Sequence, residues 1–196
     1  ISGATAANLA ELVLINAASS GTLVLNAATN AANFSSSATL LVAALSGITS
    51  HTGTQTITGA TAATLVELIA MNASTAGAIT LNTASIQANY SGSAVEIIAA
   101  FAGTVTLHTG VITVTGAAPT VTQANTIDIA STGATVATIS DSAENLATLT
   151  GTNNVYSLSI SGATAATIDQ LVLINAATTG PITLNAATTA ADYSSS

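Results

Sequence analysis

The chain repeats itself, and this internal repeat restricts its possible folds more than any other feature. Residues 1–37 and 160–196 align without a gap and are identical at 25 of 37 positions. A second copy begins at Ile57, and a third, shorter and more divergent, begins at Val114. We predict a single array over residues 1–196, with repeats at 1–56, 57–113, 114–159 and 160–196, the last of which is incomplete.

Each repeat has two halves of similar design. In the first half, apolar residues follow the helical spacing i, i+3, i+4, as at Leu9, Leu12 and Val13, and an amphipathic helix is predicted. The strand-like segments TLVLN, AITLN, ATVATIS and PITLN come next. In the second half, Ser or Asp residues precede ATLLVAAL, AVEIIAAF and SAENLATL and predict helix N-caps. Asp141 and Glu144 have the spacing of a capping box.

This order of strands and short helices gives one coil for roughly every 20 to 30 residues, as in α/β solenoids. A coil of this size cannot bury its own apolar face, so neighbouring coils must stack. We predict an α/β fold, a right-handed solenoid of strand–helix coils with a stacked parallel sheet. An all-β solenoid is the alternative, because Thr, Val and Ile in ATIDQLVLIN also suit strands.

Glycines punctuate both halves of the repeat. The glycines after the first helix are predicted to take the left-handed conformation that often ends a helix. They are Gly21, Gly77, Gly133 and Gly180. The glycines that close the second helical segment are Gly47, Gly103 and Gly151.

Asparagine recurs in register in two series. The first is Asn16, Asn72 and Asn175, with Asp128 in the divergent repeat, and the second is Asn26, Asn82 and Asn185. An amide both donates and accepts hydrogen bonds, so stacked asparagines are predicted to satisfy backbone groups at the corners between coils. A row that binds sugars or ions is the functional alternative. Phe34, Tyr90 and Tyr193 also recur and are predicted to pack on the core.

No catalytic or metal site is predicted. His51 and His108 stand in equivalent HTG segments, but equivalent strand positions two coils apart lie about 10 Å from each other, too far to share one ion. Turn positions are predicted for both. Glu11 and Glu67 are equivalent, and Gln170 replaces them in the last repeat, which argues against a required acid or base. No cofactor is predicted.

Threonines at alternate positions form the most distinctive candidate surface. They are Thr54, Thr56, Thr104, Thr106, Thr113 and Thr115. On one face of a sheet such residues lie about 6.6 Å apart along a strand and about 4.8 Å apart between strands. A flat grid of this kind is what ice-binding solenoids present. Threonine is also simply a good strand residue, and the pattern is missing from several coils.

Composition excludes several partners. The chain has no Lys or Arg, so it lacks the cations with which proteins neutralise nucleic-acid phosphates or anionic head groups. Its longest apolar run, Ala38 to Leu45, is too short to span a membrane. Without Lys or Arg the chain has no site for trypsin. These properties favour an exposed, long-lived polymer at the cell surface or outside the cell.

The run GAAPTVTQANTIDIASTGATVATISDSAENLATL, with its alternation of TVTQANTIDIA and ISDSAENLATL, resembles the Ala/Thr-rich tandem repeats of very large secreted surface proteins of cyanobacteria and other Gram-negative bacteria. The resemblance extends loosely over the whole chain. It implies export, extreme length and a role in surface coats, adhesion or motility-associated filaments. Such proteins often carry calcium-binding repeats as well, but this chain lacks that motif.

The predicted function follows from the repeat. Since neither end carries a polar capping repeat, we expect the array to continue into flanking repeats of a longer chain or to join head to tail with a copy of itself. Contacts of that open kind produce filaments. A structural filament, sheath or surface layer is therefore predicted, without enzymatic activity. The alternative is the binding module of a giant adhesin that recognises glycans or ice.

Overall fold

The computed structural model describes residues 1–48 and 51–193. The last three residues of the fourth predicted repeat therefore lie outside the described residues. The chain divides into two compact units. Unit 1 comprises residues 1–88 and 99–108, and unit 2 comprises residues 89–98 and 109–196. The prediction of one array over the whole chain stays a prediction.

Unit 1 contains a parallel sheet of three strands and short helices between them. The sheet has the order β1 (Phe34–Ser36), β2 (Gln55–Ile57), β3 (Ile79–Thr80). The helices are α1 (Leu9–Ala18), α2 (Ala27–Asn30), α3 (Ala38–Leu45), α4 (Leu65–Ser74) and α5 (Thr83–Gln87). Phe34 pairs with Gln55 and Gln55 with Ile79, so roughly 20 to 25 residues separate neighbouring strands, a spacing typical of α/β repeats.

Unit 2 contains a parallel sheet of five strands. Its order is β4 (Tyr90–Gly92), β5 (Ile112–Val114), β6 (Thr135–Asp141), β7 (Val155–Ile160), β8 (Ile182–Thr183). Its helices are α7 (Val121–Ala130), α8 (Ala143–Leu146), α9 (Ile168–Ala176) and α10 (Ala186–Thr189), and α6 (Ala94–Ala100) has residues in both units. Strands therefore pair in chain order in both sheets, with a helical crossover between successive strands.

The fold is α/β with two parallel sheets, so the all-β alternative is wrong. The Ala/Thr-rich segments form helices because side-chain hydrogen bonds satisfy the free N–H groups at the helix N-termini. The Asn8 side chain accepts the Glu11 N–H, and the Glu11 carboxylate accepts the Asn8 N–H, which makes a reciprocal capping box at the start of α1. Helices α4, α7 and α9 begin with the same device, built on Thr64, Thr120 and Thr167.

Two local predictions are wrong, and two strands were not predicted. The segment TLVLN, residues 22–26, does not form a strand, and a short helix, α2, follows it directly. The serine-containing segments before α3 and α6 include the unpredicted strands β1 and β4. Asp141 does not cap α8. Ser142 is the N-cap, and Asp141 instead accepts hydrogen bonds from the Ser142 N–H and the Asn145 amide.

Apolar residues from helices and strands form the interior of each unit. In unit 1 the deeply buried side chains include Leu12, Leu41, Leu45, Leu68 and Met71. In unit 2 a single cluster joins α7, α8 and α9 to β6 and β7, with Ile139, Leu146, Tyr156, Leu158 and Ile174 among its members. Polar groups at the edges of the coils make hydrogen bonds between neighbouring coils.

Candidate functional site: contacts between coils and the outward sheet face

One asparagine series acts as a two-sided clamp at the corners between coils. The Asn82 side-chain oxygen accepts the Ser85 N–H and caps α5, while its amide donates to Gly59 O and Thr61 O, both at 2.8 Å. Asn26 and Asn185 make the same three contacts with α2 and α10. Each clamp therefore fixes a helix start against a loop about 20 residues earlier in the chain.

The other asparagine series acts at helix C-termini. The Asn16 amide donates to Ala43 O and Ser46 O at the end of α3. The Asn72 amide donates to Ala100 O and Ala102 O at the end of α6. Since the last carbonyls of a helix have no partner within the helix, these amides satisfy groups that would otherwise be left to water. Asn175 is exposed.

The divergent repeat replaces this contact with a different one. A carboxylate cannot donate to carbonyls, and Asp128 instead accepts from the Thr150 hydroxyl at 2.9 Å and the Asn154 amide at 2.9 Å. Asn125, one helical turn earlier, takes over the donor role. Its amide donates to Thr148 O, and its oxygen accepts the Thr150 N–H.

The two glycine groups have different structural causes. Gly47, Gly103 and Gly151 have φ angles between +68° and +80° and follow α3, α6 and α8. Gly21, Gly77, Gly133 and Gly180 do not have positive φ, so the predicted left-handed conformation is wrong for them. A Cβ at Gly77 would lie 2.2 Å from Gly53 O, and one at Gly133 would lie 1.9 Å from Gly110 O. Close approach of the preceding coil explains these two glycines.

The histidines are interior residues, and the predicted turn positions are wrong. His51 and His108 both have no exposed surface. His51 Nε2 lies 2.9 Å from Ala32 O, and its Nδ1 lies 3.0 Å from Thr75 Oγ1. His108 Nε2 lies 2.7 Å from Ala88 O. Burial lowers the pKa of both imidazoles, and the hydrogen bond to the carbonyl only partly opposes that effect.

The carboxylates at the third helical position complete capping boxes. Burial alone would raise the pKa of Glu67, but hydrogen bonds from the Thr39 hydroxyl and from the N–H and hydroxyl of Thr64 outweigh it, so this pKa is lowered. The Ser93 N–H and then its hydroxyl lower the pKa of Glu96 in the same way. Gln170 makes the equivalent contact with Thr167, since an amide oxygen accepts as a carboxylate does.

The threonines predicted to form rows do not share one surface. Thr56 pairs with Ser35 on one side and Thr80 on the other, in an outward column of hydroxyls in unit 1. The Thr106 hydroxyl is occupied, because it accepts the Leu81 N–H and donates to Ile79 O. Thr54 is half-buried, and Thr104 and Thr115 are exposed outside the named strands. Thr113 pairs with Ser91 and Val136.

Sequence reasoning missed the most regular hydroxyl face, which lies in unit 2. Alternate residues of β6, β7 and β8 point outward in register. They are Thr138 and Ser140, Ser157 and Ser159, and Thr183. The missed signal was alternation with buried Ala137, Ile139 and Leu158, which mixes serine with threonine and so escaped a search for threonine alone.

Equivalent apolar positions differ in exposure between the first repeat and later ones. Ile15 is 36% exposed, whereas its equivalents Met71 and Ile174 are fully buried. Ile1 is likewise exposed, while Ile57 pairs with β1 and Ile160 pairs with β6 and both are buried. A groove of about 470 Å³ runs along this face, lined by Ile1, Thr5, Ala6, Ala7, Glu11, Leu14 and Ile15.

The fourth repeat shows the same difference at other positions. Tyr193 is 42% exposed, whereas its equivalents Phe34 and Tyr90 are buried. Leu184 is also 42% exposed, whereas Leu25 and Leu81 are buried. Both repeats that carry such exposed positions therefore present apolar side chains that are covered elsewhere in the same sequence pattern.

Over residues 1–48 and 51–193, no group of three or more His, Asp or Glu side chains is placed to hold a metal ion. No described helix has the length and apolar character needed to cross a membrane. Comparison with protein-family models, with curated proteins and with solved structures finds no match to this chain. The function must therefore be argued from the chain's own geometry.

Proposed function

We propose that this protein is an extracellular structural repeat protein whose coils form a right-handed solenoid and stack end to end into a filament, sheath or surface layer. The observation that carries the proposal is the exposure of apolar residues whose equivalents in neighbouring repeats are buried, above all Ile15 against Met71 and Ile174. A further coil of the same pattern is the surface that fits these side chains, and either a second copy of this chain or flanking repeats of a longer chain would supply it.

Charge and composition support the same proposal. The chain carries eight acidic residues and no Lys or Arg, so copies cannot be held by salt bridges and must associate through apolar and hydrogen-bonding surfaces. The face around Ile1 and Ile15 is mainly apolar and includes one carboxylate, Glu11. Association through such a face should depend weakly on ionic strength.

The test is assembly of the purified chain at neutral pH, followed by light scattering over a concentration series and by electron microscopy. Fibres or sheets are expected. Ile15→Asp should abolish them, because it adds a charge to the apolar face. Val24→Asp is the matched control, since Val24 is exposed and so are its equivalents Thr80 and Thr183. A monodisperse monomer at every concentration, or fibres unaffected by Ile15→Asp, would contradict the proposal.

The outward hydroxyl face of β6, β7 and β8 favours a second candidate function, a binding module of an adhesin for glycans or ice. Five hydroxyls at strand spacings form an uncharged array there. Ser157→Tyr would interrupt the array, and Thr122→Tyr on the exposed side of α7 is the control. Glycan-array binding or inhibition of ice recrystallisation that is lost in the first variant and kept in the second supports this candidate; no binding by the wild-type chain removes it.

A further inference from the structure

Two buried histidines connect successive coils of unit 1. His51 reaches back to Ala32 O through Nε2 and forward to Thr75 through Nδ1, and its ring stacks on Phe34 at a centroid distance of 5.3 Å. His108 repeats the backward contact with Ala88 O and packs on Phe101 at 5.2 Å. Each imidazole thus joins neighbouring coils through a fully buried contact.

A backbone carbonyl determines that Nε2 carries a proton in each ring, and burial is what favours the neutral form. A carbonyl oxygen only accepts, so Nε2 carries the proton in both histidines. In His51 the Nδ1 atom lies 3.0 Å from Thr75 Oγ1, a hydroxyl that also lies within hydrogen-bond distance of His51 O and Gly53 O. Protonation would place a positive charge inside the unit. Burial is the larger effect on the pKa of both rings and disfavours that charge.

The third repeat replaces this histidine with an amide. Asn154 occupies the equivalent position, six residues before the next repeat, and is fully buried. Its oxygen accepts the Thr135 N–H, and its amide donates to Asp128. The third repeat is shorter than the second and has no helix equivalent to α5, so the carbonyl that His108 contacts has no counterpart there. Unit 2 contains no histidine.

We propose that His51 and His108 make unit 1 acid-labile. The contacts between its coils then weaken below about pH 6.5, while unit 2 keeps its folded structure. This goes beyond the proposed polymer. It would hold equally for an isolated chain. In the polymer it would let acidification release the stack of unit 1 without disturbing the hydroxyl face of unit 2.

The direction in which stability changes with pH follows from whether the folded or the unfolded chain binds protons more readily. In the unfolded chain each histidine titrates near 6.5, whereas the buried rings titrate lower. The stabilisation is therefore complete above 6.5 and is lost as pH falls toward the folded pKa. Each histidine lowers the folding equilibrium constant by up to about tenfold per pH unit in that window. Glu67 and Glu96 have pKa values lowered below 4.5, so their protonation affects stability only at lower pH.

The experiment is hydrogen–deuterium exchange of the full chain, read by mass spectrometry at roughly pH 7 and pH 5 and corrected for intrinsic exchange rates. The wild-type chain should lose protection in unit 1 and keep it in unit 2. The double variant His51→Gln/His108→Gln should keep protection in both units, because an amide can donate to the carbonyl and does not protonate. Equal protection at both pH values, or loss that persists in the double variant, would overturn the proposal.

A second measurement covers the case in which the double variant does not fold. Imidazole resonances of the wild-type chain, followed by NMR over the same pH range, should stay in the neutral form below 6.5 until protection is lost. Titration of either ring in the folded chain at or above 6.5 would overturn the proposal as well.

Discussion

Unit 1 and unit 2 are built from the same repeat but connect neighbouring coils with different chemistry. Unit 1 uses imidazoles, the Glu67 carboxylate that accepts the Thr39 hydroxyl, and the Asn72 amide at a helix C-terminus. Unit 2 uses the Asn154 amide and Asp128, with Asn125 as the donor to Thr148 O just after α8. The comparison shows that the repeat conserves the position of a contact and exchanges the groups that make it, provided that donors still meet acceptors.

The largest expected effect tests what the two units share. Gly77→Ala in unit 1 and Gly133→Ala in unit 2 each force a Cβ into a backbone carbonyl of the preceding coil. Backbone cannot yield as a flexible side chain can, so each variant should lose roughly 3 to 5 kcal/mol of unfolding free energy. Urea denaturation measures this.

Gly21→Ala is the control for these variants, since a Cβ there meets no atom within 4 Å. It should change the unfolding free energy by less than about 0.5 kcal/mol. If Gly77→Ala and Gly133→Ala were as mild as this control, the close packing of successive coils in both units would be refuted.

A smaller effect should separate the units. Asn72→Asp in unit 1 removes a donor from Ala100 O and Ala102 O and places a carboxylate against the negative end of a helix. A loss of about 1 to 3 kcal/mol is expected. Asp128→Asn in unit 2 should cost less than about 1 kcal/mol, because the new amide oxygen can still accept from the Asn154 amide and the Thr150 hydroxyl can accept from the new NH2 group. Thermal unfolding of the two variants gives the comparison, and equal losses would mean that these donors and acceptors do not rearrange.

The smallest effect concerns the capping boxes. Glu67→Gln should change stability by less than about 0.5 kcal/mol at neutral pH, since Gln170 shows that an amide serves there. The lowered pKa of Glu67 means that its contribution is present above 4.5 and is lost as pH falls through the folded pKa. Below that pH, the stability of the variant should therefore fall less steeply with decreasing pH than the stability of the wild-type chain.

The reverse exchange, Gln170→Glu, should introduce the same acid dependence at α9 of unit 2. Unfolding midpoints measured between neutral and acidic pH test both variants. An unchanged pH dependence in both would show that the capping carboxylate has no energetic role.

The sequence alone predicted the repeat, most helices and the parallel arrangement, because apolar spacing and cap residues are local signals. It placed α3 at ATLLVAAL with Ser37 as a good N-cap, and the structure confirms both. It failed at TLVLN, which does not form a strand, and at α2, which is four residues long and is held by the Asn26 clamp. A helix that short has no periodicity to detect.

Local pattern therefore determined which segments are helical, which are strand-like and where asparagine and glycine recur. Only the tertiary structure decided what those recurrent residues contact. Asn26 and Asn16 look alike in the sequence, yet one caps a helix start and the other satisfies a helix end. Gly47 and Gly77 also look alike, yet one needs a positive φ and the other needs space for a neighbouring carbonyl. These roles depend on groups about 20 to 30 residues away, and the distance between coils is set by packing rather than by any local preference.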